Sequence, residues 1–313
     1  MRSFKGLFLL IMTNLLVFLT LIISGNILIN FVLPMFGIDM RGNFASYQFA
    51  WAMVFGFGGA FISLLMSKPM VKRMYRMQQV TQPSTPKERL VYETIQELAR
   101  RDQLKMPEVW VYLDDAPNAF ATGPGRNRSM VAVSSGLVNN LSDDEVKSVL
   151  AHEMGHVANG DMVATTLLQG LMNTFVYFLA GMIARLVASA TSRNGEPNFM
   201  IYFVVNIVLQ ILFSILAMIV VMWHSRRREF RADAHAAQAY GAEPMIRALQ
   251  KIDAIARQTQ PVEEKSSPTL APKDALATLK IHGGKSGGIS SLFASHPPIE
   301  ARIAALRGLS RKS

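Results

Sequence analysis

The chain has 313 residues, of which 50% are hydrophobic and 17% are charged, and its formal net charge at pH 7 is +10. Soluble domains usually carry about 25% charged residues, so this composition indicates a protein that lies in a lipid bilayer. The chain has no cysteine, which excludes disulfide bonds, thiol catalysis and thiolate metal sites.

Four apolar runs are long enough to cross a bilayer, whose hydrocarbon core of about 30 Å takes roughly 20 helical residues. Together they carry a single charge, that of Arg185 in the third run. Four such runs in so short a chain argue against helices buried in a soluble core. The runs are Leu7 to about Ile29, Tyr47–Met66, Met162–Ala190 and Phe199–Trp223. We therefore predict two membrane hairpins, in 1–67 and 162–223, that alternate with polar parts in 68–161 and 224–313.

The basic residues predict the orientation of the spans. The loops 31–45 and 191–198 hold only Arg41 and Arg193 as basic residues. The other ends of the spans are flanked by Arg2, Lys5, Lys68, Lys72, Arg73, Arg76, Arg226, Arg227 and Arg228. By the positive-inside rule, both termini and 68–161 face the cytoplasm. The net charge then reflects membrane topology, with some contact to anionic lipid through 68–76, and we predict no nucleic-acid partner.

The first polar part begins and ends with a capped helix. Thr85-Pro86-Lys87-Glu88 is a capping box that opens a helix to about Arg101. Ser142-Asp143-Asp144-Glu145 opens a second helix, which ends near Asn159-Gly160, and Asp161 can then cap the third span. Between the two helices, 109–113, 118–122 and 130–134 are predicted strands. The pattern predicts a small antiparallel or mixed sheet in a mainly α-helical α+β fold.

Beyond the fourth span the sequence predicts three further helices. They run from Glu229 to Tyr240, from about Glu243 to Arg257 and from about Pro298 to Gly308. The stretch 258–273 is polar without apolar periodicity, so it is predicted to be a loop. The glycine-rich stretch 283–288 lacks the spacing of a phosphate-binding loop, and no nucleotide site is predicted.

The motif His152-Glu153-Met154-Gly155-His156 lies on the second capped helix. Residues four apart lie on one helix face, so the two imidazoles can bind one zinc ion. Glu153 follows the first ligand directly, where its carboxylate can take a proton from the attacking water. The motif therefore predicts a zinc-dependent endopeptidase with Glu153 as its catalytic base.

A catalytic zinc ion needs a third protein ligand and an open position. Glu229 is favoured because Asp233 lies four residues later on the same helix face, where it can hydrogen-bond a ligating histidine. The two spans between His156 and Glu229 also return the chain to the same side of the membrane. Alternatively, Glu229 and Asp233 form a solvated helix start that complements the helix dipole. The remaining histidines, which are also candidates, are His224, His235, His282 and His296.

Together these motifs resemble the HtpX family of bacterial heat-shock membrane proteases, which is related to the CAAX prenyl proteases. The matching residues, spread over nearly the whole chain, are His152–His156, Asn159–Asp161, Arg228–Ala234, Asn118–Gly123, Val131–Gly136 and Ser295–Pro298. The resemblance implies one zinc ion bound by His152, His156 and Glu229, with Glu153 catalytic. It also implies quality control of membrane proteins in the bacterial inner membrane. Arg231 stands where the family commonly has a histidine, at a position that is not expected to be a ligand.

Two further parts of the chain are candidates for contact with substrate. His296 or Arg302 could stabilise the oxyanion if the C-terminal segment folds over the cleft; alternatively, His296-Pro297-Pro298 is only a rigid start of a helix. Asn118, Ala119 and Phe120 begin a short predicted strand to which an extended polypeptide could add. The alternative for that strand is an ordinary internal position in the sheet.

The leading hypothesis is a membrane zinc endopeptidase that cuts misfolded or damaged membrane proteins at their cytoplasmic sides. One alternative is a processing protease for lipid-modified C-termini, although four spans are too few to enclose a large membrane chamber. Another is a non-catalytic scaffold or chaperone, against which the intact residues His152, Glu153, His156 and Glu229 argue. A transporter is disfavoured because paired charges within the spans are missing.

Overall fold

A computed structural model describes Leu16, Phe18–Tyr75, Met77–Ser192, Pro197–Thr259 and His296–Ser310. Predictions that fall on the start of the first span, on Arg76, Arg193 and His282, and on most of 258–273 and all of 283–288 lie outside these residues. The chain divides into two compact units. One comprises Met1–Leu64 and Thr165–Val221, and the other comprises Leu65–Ala164 and Met222–Ser313.

The elements follow one another as α1 (Phe18–Met35), α2 (Phe44–Met74), β1 (Met77–Gln79), α3 (Pro86–Arg101), β2 (Glu108–Tyr112), β3 (Ala119–Thr122), β4 (Met130–Ser134), α4 (Ser135–Asn140), α5 (Asp143–Asn159), α6 (Asp161–Ala190), α7 (Phe199–Tyr240), α8 (Ala242–Thr259) and α9 (Ile299–Ser310). Among the described residues, α1, α2, α6 and α7 are long and apolar enough to cross a membrane. The prediction of a mainly helical α+β fold with four spans and a small sheet is confirmed.

Helix α7 differs from its prediction, because it continues without a break for 42 residues. The sequence predicted a span that ends near Trp223 and a separate helix from Glu229. The intervening stretch His224–Arg228 contains neither glycine nor proline, and its three arginines are good helix formers. Glu229 and Asp233 therefore lie on the same helix as the fourth apolar run.

In the first unit, small residues bring α2 and α6 close together. A side chain at Gly56 would collide with Thr174 and with the carbonyl of Gly170. Glycines of this kind let helix backbones approach within a membrane. Arg185 is placed over the ring of Phe44, with its guanidinium carbon 4.0 Å from the ring centroid, which gives the single charge of the third run an aromatic partner.

The second unit is built on a four-stranded mixed sheet with the order β1-β2-β4-β3. The parallel pair is β2 and β4, with Val109 opposite Val131, and the other two pairs are antiparallel. The short strand β1 and helix α4 were missing from the prediction. β1 has three residues, Met77, Gln78 and Gln79, which are too few to show the alternation that marks a strand. β3 lies at an edge of the sheet. This position agrees with the alternative in which an extended polypeptide could add to the strand, and not with an internal position.

The core of this unit lies between the sheet and α3, α5 and α8. Ile95 of α3, Val131 and Val133 of β4, Leu150 of α5 and Leu249 of α8 are fully buried in it. Burying each of these side chains contributes roughly 1.5–3 kcal/mol. Leu306 of α9 joins the same cluster. The C-terminal helix is therefore anchored in the unit that holds α5.

Candidate metal centre

Helix α5 is capped at both ends as its sequence predicted. Ser142 Oγ accepts a hydrogen bond from the Glu145 N–H, while Glu145 Oε2 accepts one from the Ser142 N–H, which completes the capping box. Gly160 ends the helix in the left-handed conformation, with φ at 70°, where glycine avoids the strain that a side chain would cause. These ends fix the segment that carries His152, Glu153 and His156.

The side chains of His152, His156 and Glu229 converge. One nitrogen or oxygen from each lies within 4.8 Å of the others. His152 Nε2 is 3.6 Å from Glu229 Oε2, and His156 Nε2 is 3.4 Å from Glu229 Oε1. Tetrahedral ligands at about 2.0–2.2 Å from a zinc ion lie about 3.3–3.6 Å from one another. The two imidazoles and the carboxylate therefore fit a zinc ion in both chemistry and spacing.

The other ring nitrogen of each histidine lies within hydrogen-bonding distance of a carboxylate. His152 Nδ1 lies 2.9 Å from Asp233 Oδ1, and His156 Nδ1 lies 2.7 Å from Asp161 Oδ2. Such bonds fix the ring orientation and leave Nε2 directed toward a metal. The sequence predicted this role for Asp233, whereas it assigned Asp161 only to the capping of α6. The position of Asp161 directly beyond Gly160, five residues after His156, was the available signal.

The ionisable groups of the site shift one another's pKa values. Burial raises the pKa of Glu229, but hydrogen bonds with His152 and His156 outweigh burial and hold that pKa well below its ordinary value. Burial lowers the pKa of His156, yet its bonds with Asp161 and Glu229 raise it to about 10. A proton on His156 thus supplies positive charge that a bound metal ion would otherwise bring.

Arg302 is fully buried beside Asp233. Its Nε lies 2.8 Å from Asp233 Oδ2, and its Nη2 lies 2.6 Å from Asp233 Oδ1. Burial raises the pKa of Asp233, but the charge and hydrogen bonds of Arg302 lower it to about 2. Arg302 Nη1 lies 3.6 Å from Glu229 Oε2. The guanidinium thus holds Asp233 ionised and in position against His152.

Glu153 is buried next to the edge strand β3. Burial raises the pKa of its carboxyl, although the positive charge of the neighbouring histidines opposes this. A raised pKa makes a carboxylate a stronger base, as general base catalysis near neutral pH requires. Glu153 therefore has the basicity of a proton acceptor.

His296 lies over Glu229, where the C-terminal segment reaches the site. Its Nδ1 is 2.8 Å from Glu229 Oε2, but the two atoms are not aligned for a hydrogen bond. Both ring nitrogens are buried, and neither has a hydrogen-bond partner among the described residues. Because buried polar atoms are normally paired, this ring is positioned to meet a group that binds in the site.

The predicted strand residues Asn118, Ala119 and Phe120 lie beside α5, but two of their side chains face elsewhere. Phe120 packs in a small cluster with Tyr112 and Met130, and Asn118 Nδ2 donates to Tyr112 Oη at 2.9 Å. Only the backbone of this strand is therefore placed to meet a polypeptide.

Two histidines that the sequence offered as alternative ligands lie apart from the three converging side chains. His235 bonds both of its ring nitrogens to other groups, the Ala151 carbonyl and the Asp102 carboxylate. His224 is absent from the group of side chains that could hold a metal. No sequence pattern indicated the pair of His235 and Asp102, which are 133 positions apart.

Comparisons with known proteins agree with this geometry. A model described as peptidase family M48 matches residues 86–310. "Protease HtpX" of Pasteurella multocida is 44% identical over 298 residues, which is 95% of this chain and 99% of that protein. "Protease HtpX" of Thioalkalivibrio sulfidiphilus is 42% identical over 308 residues, which is 98% of this chain and 100% of that protein.

One solved structure has a similar fold. The crystal structure of S. mikatae Ste24p aligns with 94% of this chain at a TM-score of 0.58 and 20% sequence identity. The chain spans 65% of the length of that protein. At this identity the likeness concerns the fold alone.

Proposed function

Because the chain belongs to peptidase family M48 and is a membrane metalloprotease of the HtpX group, we propose that it is a zinc endopeptidase that cleaves misfolded or damaged membrane proteins. The observation that carries the proposal is the convergence of His152, His156 and Glu229 beside the buried base Glu153. The basic residues that flank the spans support a cytoplasmic active site in a bacterial inner membrane.

Zinc is proposed because of the donor set. Calcium and magnesium prefer oxygen ligands, whereas two imidazoles and one carboxylate are a common catalytic zinc set that leaves one position open. His152, His156 and Glu229 would hold one ion per chain. The ion would polarise the scissile carbonyl and lower the pKa of the attacking water to about 7.

The proposed proton transfers belong to Glu153. Its carboxylate takes a proton from the water that attacks the scissile carbonyl and later returns that proton to the leaving amine. Burial adds the required basicity by raising its pKa.

His296 is the better placed of the two residues proposed to stabilise the oxyanion. Its ring nitrogens have no hydrogen-bond partner among the described residues, so one can donate to the oxygen as negative charge develops. Arg302 already uses Nε and Nη2 to hold Asp233. We therefore assign Arg302 to the positioning of Asp233 and His152, and His296 to the oxyanion.

The polypeptide would add to β3 as a further strand. Ser134 N–H donates to the Asn118 carbonyl, so Asn118, Phe120 and Thr122 direct their backbone groups toward β4. Ala119 and Ala121 then direct theirs toward the unpaired edge, where Ala119 is 1% exposed and Ala121 is partly exposed. The backbone groups of Ala121 would therefore be the ones that bind an extended backbone.

The test uses purified full-length protein in detergent micelles with a panel of unfolded membrane and soluble substrates. We expect cleavage that a chelator stops and that added zinc restores, with product sequencing to locate the cut bonds. Glu153→Gln is the matched control, because it retains the three metal-binding side chains and should abolish cleavage. Cleavage that survives either treatment would overturn the proposed mechanism. Reporter fusions in the loop 191–198 should read as non-cytoplasmic, and a cytoplasmic signal would overturn the proposed orientation.

A further inference from the structure

His235 links three helices at a point outside the metal site. It is carried by α7, and its Nδ1 lies 2.9 Å from the carbonyl oxygen of Ala151 in α5. Its Nε2 lies 3.0 Å from Oδ2 of Asp102, at the end of α3. A carbonyl and a carboxylate are both hydrogen-bond acceptors, and the two ring nitrogens of His235 join them across α5 and α3.

The helices α5 and α7 are in close contact beside this link. A Cβ atom added at Gly155 would lie 3.0 Å from His235 Cβ and 3.2 Å from Ala232 Cα, tighter than ordinary van der Waals contact. Residues three apart are neighbours on a helix surface, so Glu229, Ala232 and His235 form one row of α7 that faces α5. The row thus contains a proposed metal ligand, the point of closest contact and the link to Ala151.

The position of Asp102 supports a specific pairing. Asp102 is the residue that caps the C-terminal end of α3, where the helix dipole is negative and a carboxylate is disfavoured. Its partner His235 is mostly buried, with 14% of its side chain exposed, and Asp102 has 11% exposed. A hydrogen-bonding partner at this place offsets the unfavourable position of the acid.

We propose that His235 is a positioning residue that fixes the crossing of α5 and α7, and thereby the separation of His152 and His156 from Glu229. The inference rests on the metal site proposed above. His152 directly follows Ala151, whose carbonyl His235 holds, and Glu229 lies on the row of α7 that ends at His235. If α7 turns or slides against α5, Glu229 moves away from both histidines while every ligand is still present.

The test measures cobalt(II), a spectroscopic substitute for zinc, in full-length protein in detergent micelles. His235→Leu removes both hydrogen bonds, and we expect the dissociation constant for cobalt to rise about tenfold, within the range seen for groups that orient metal ligands. The visible absorption bands should shift, because the ligand geometry changes. His235→Asn retains a donor near Nδ1 for the Ala151 carbonyl and should recover most of the affinity, whereas His235→Gln reaches only toward Asp102 and should recover less.

The matched control is Lys251→Met. Lys251 Nζ of α8 lies 3.2 Å from Glu145 Oε2 at the start of α5. This change therefore removes a different contact with the same helix. It should lower the melting temperature of the metal-free protein without changing the cobalt affinity or spectrum.

The outcomes separate the two proposals. Wild-type protein that binds one cobalt per chain, with unchanged affinity and spectrum in His235→Leu, would overturn the role of His235 alone. That role is also overturned if His235→Gln binds cobalt as well as or better than His235→Asn, or if Lys251→Met weakens binding equally. Wild-type protein that binds no cobalt would overturn the metal site, and the positioning role of His235 with it.

Discussion

Arg302 donates two hydrogen bonds to the two carboxylate oxygens of Asp233, at 2.8 and 2.6 Å, and both residues are buried. Asp233 in turn accepts from His152, so the C-terminal helix α9 reaches the metal site through two side chains. Arg302→Met leaves the Asp233 charge buried without its partner, and we expect a loss of about 3–5 kcal/mol of stability. Thermal unfolding of metal-free protein measures this loss. A double variant with Asp233→Asn should lose less than the sum of the single changes, and strict additivity would contradict the pairing.

Glu229→Ala should remove a metal ligand without removing either histidine. We expect zinc retention to fall by more than the roughly 10–100-fold seen when only an orienting group is lost. Elemental analysis after dialysis against a weak chelator provides the measurement. Glu300→Ala, at an exposed glutamate of α9, is a control that should retain zinc. Equal retention in the two variants would remove Glu229 from the ligand set.

Asp161→Asn tests the carboxylate that the sequence did not reveal as the partner of His156. The amide can still accept from His156 Nδ1, but it lacks the charge that makes the imidazole a stronger ligand, so zinc affinity should fall about 10–100-fold. Competition with a chromophoric chelator measures that affinity. Asp115→Asn, at an exposed acid of the same unit, should leave it unchanged. If the Asp161→Asn variant had wild-type zinc affinity, the bond of 2.7 Å between Asp161 and His156 would not contribute to metal binding. Asp161 would then serve only as a helix cap.

Zinc binding should release protons. The pKa of His156 is raised to about 10 and that of His152 is also raised, by hydrogen bonds that outweigh burial. His156 therefore carries an extra proton at pH 7 in the metal-free protein, and metal binding must displace it. Affinity should consequently increase as pH rises from 6 toward 9. Calorimetry in buffers of different ionisation enthalpy counts the protons, and a heat that is independent of the buffer would contradict this expectation.

Glu108 should stabilise the second unit in a limited pH range. Burial raises its pKa, but hydrogen bonds from Lys68, Lys72 and Trp110 lower it from 4.5 to about 2. Because the folded-state pKa lies below the ordinary value, the stabilisation is fully present above pH 4.5 and is lost as pH falls toward 2. Melting temperatures of wild type and Glu108→Gln should therefore converge over that range. A constant difference between them would argue that the ion pairs contribute little.

The residues that were identified from the sequence lie in patterns that span only a short stretch of the chain. The spacing of His152 and His156, the capping boxes at Thr85 and Ser142, and the lengths of the apolar runs are all readable over a few turns of helix. Glu229 needed one more step, the spacing to Asp233 together with an even number of spans. For each of these, the physical cause acts between neighbours along the chain.

The pairings that it missed are formed only by the tertiary fold. His235 and Asp102 are 133 positions apart, and Arg302 and Asp233 are 69 positions apart, so no periodicity connects them. Lys68 and Lys72 were assigned to anionic lipid because they are basic and follow a span. In the structure they form ion pairs with Glu108, a strand residue whose sequence context gives no hint of them.

The open edge of β3 has a consequence for which proteins this membrane protease can attack. Ala121 offers main-chain groups, which every polypeptide can match whatever its side chains. In a folded protein the backbone N–H and C=O groups are already hydrogen-bonded to one another. In a segment that has lost its structure, these groups are free to bind the strand. Under the proposed function, the edge therefore distinguishes damaged from intact proteins by conformation alone, and a single binding strand can serve an unlimited range of sequences.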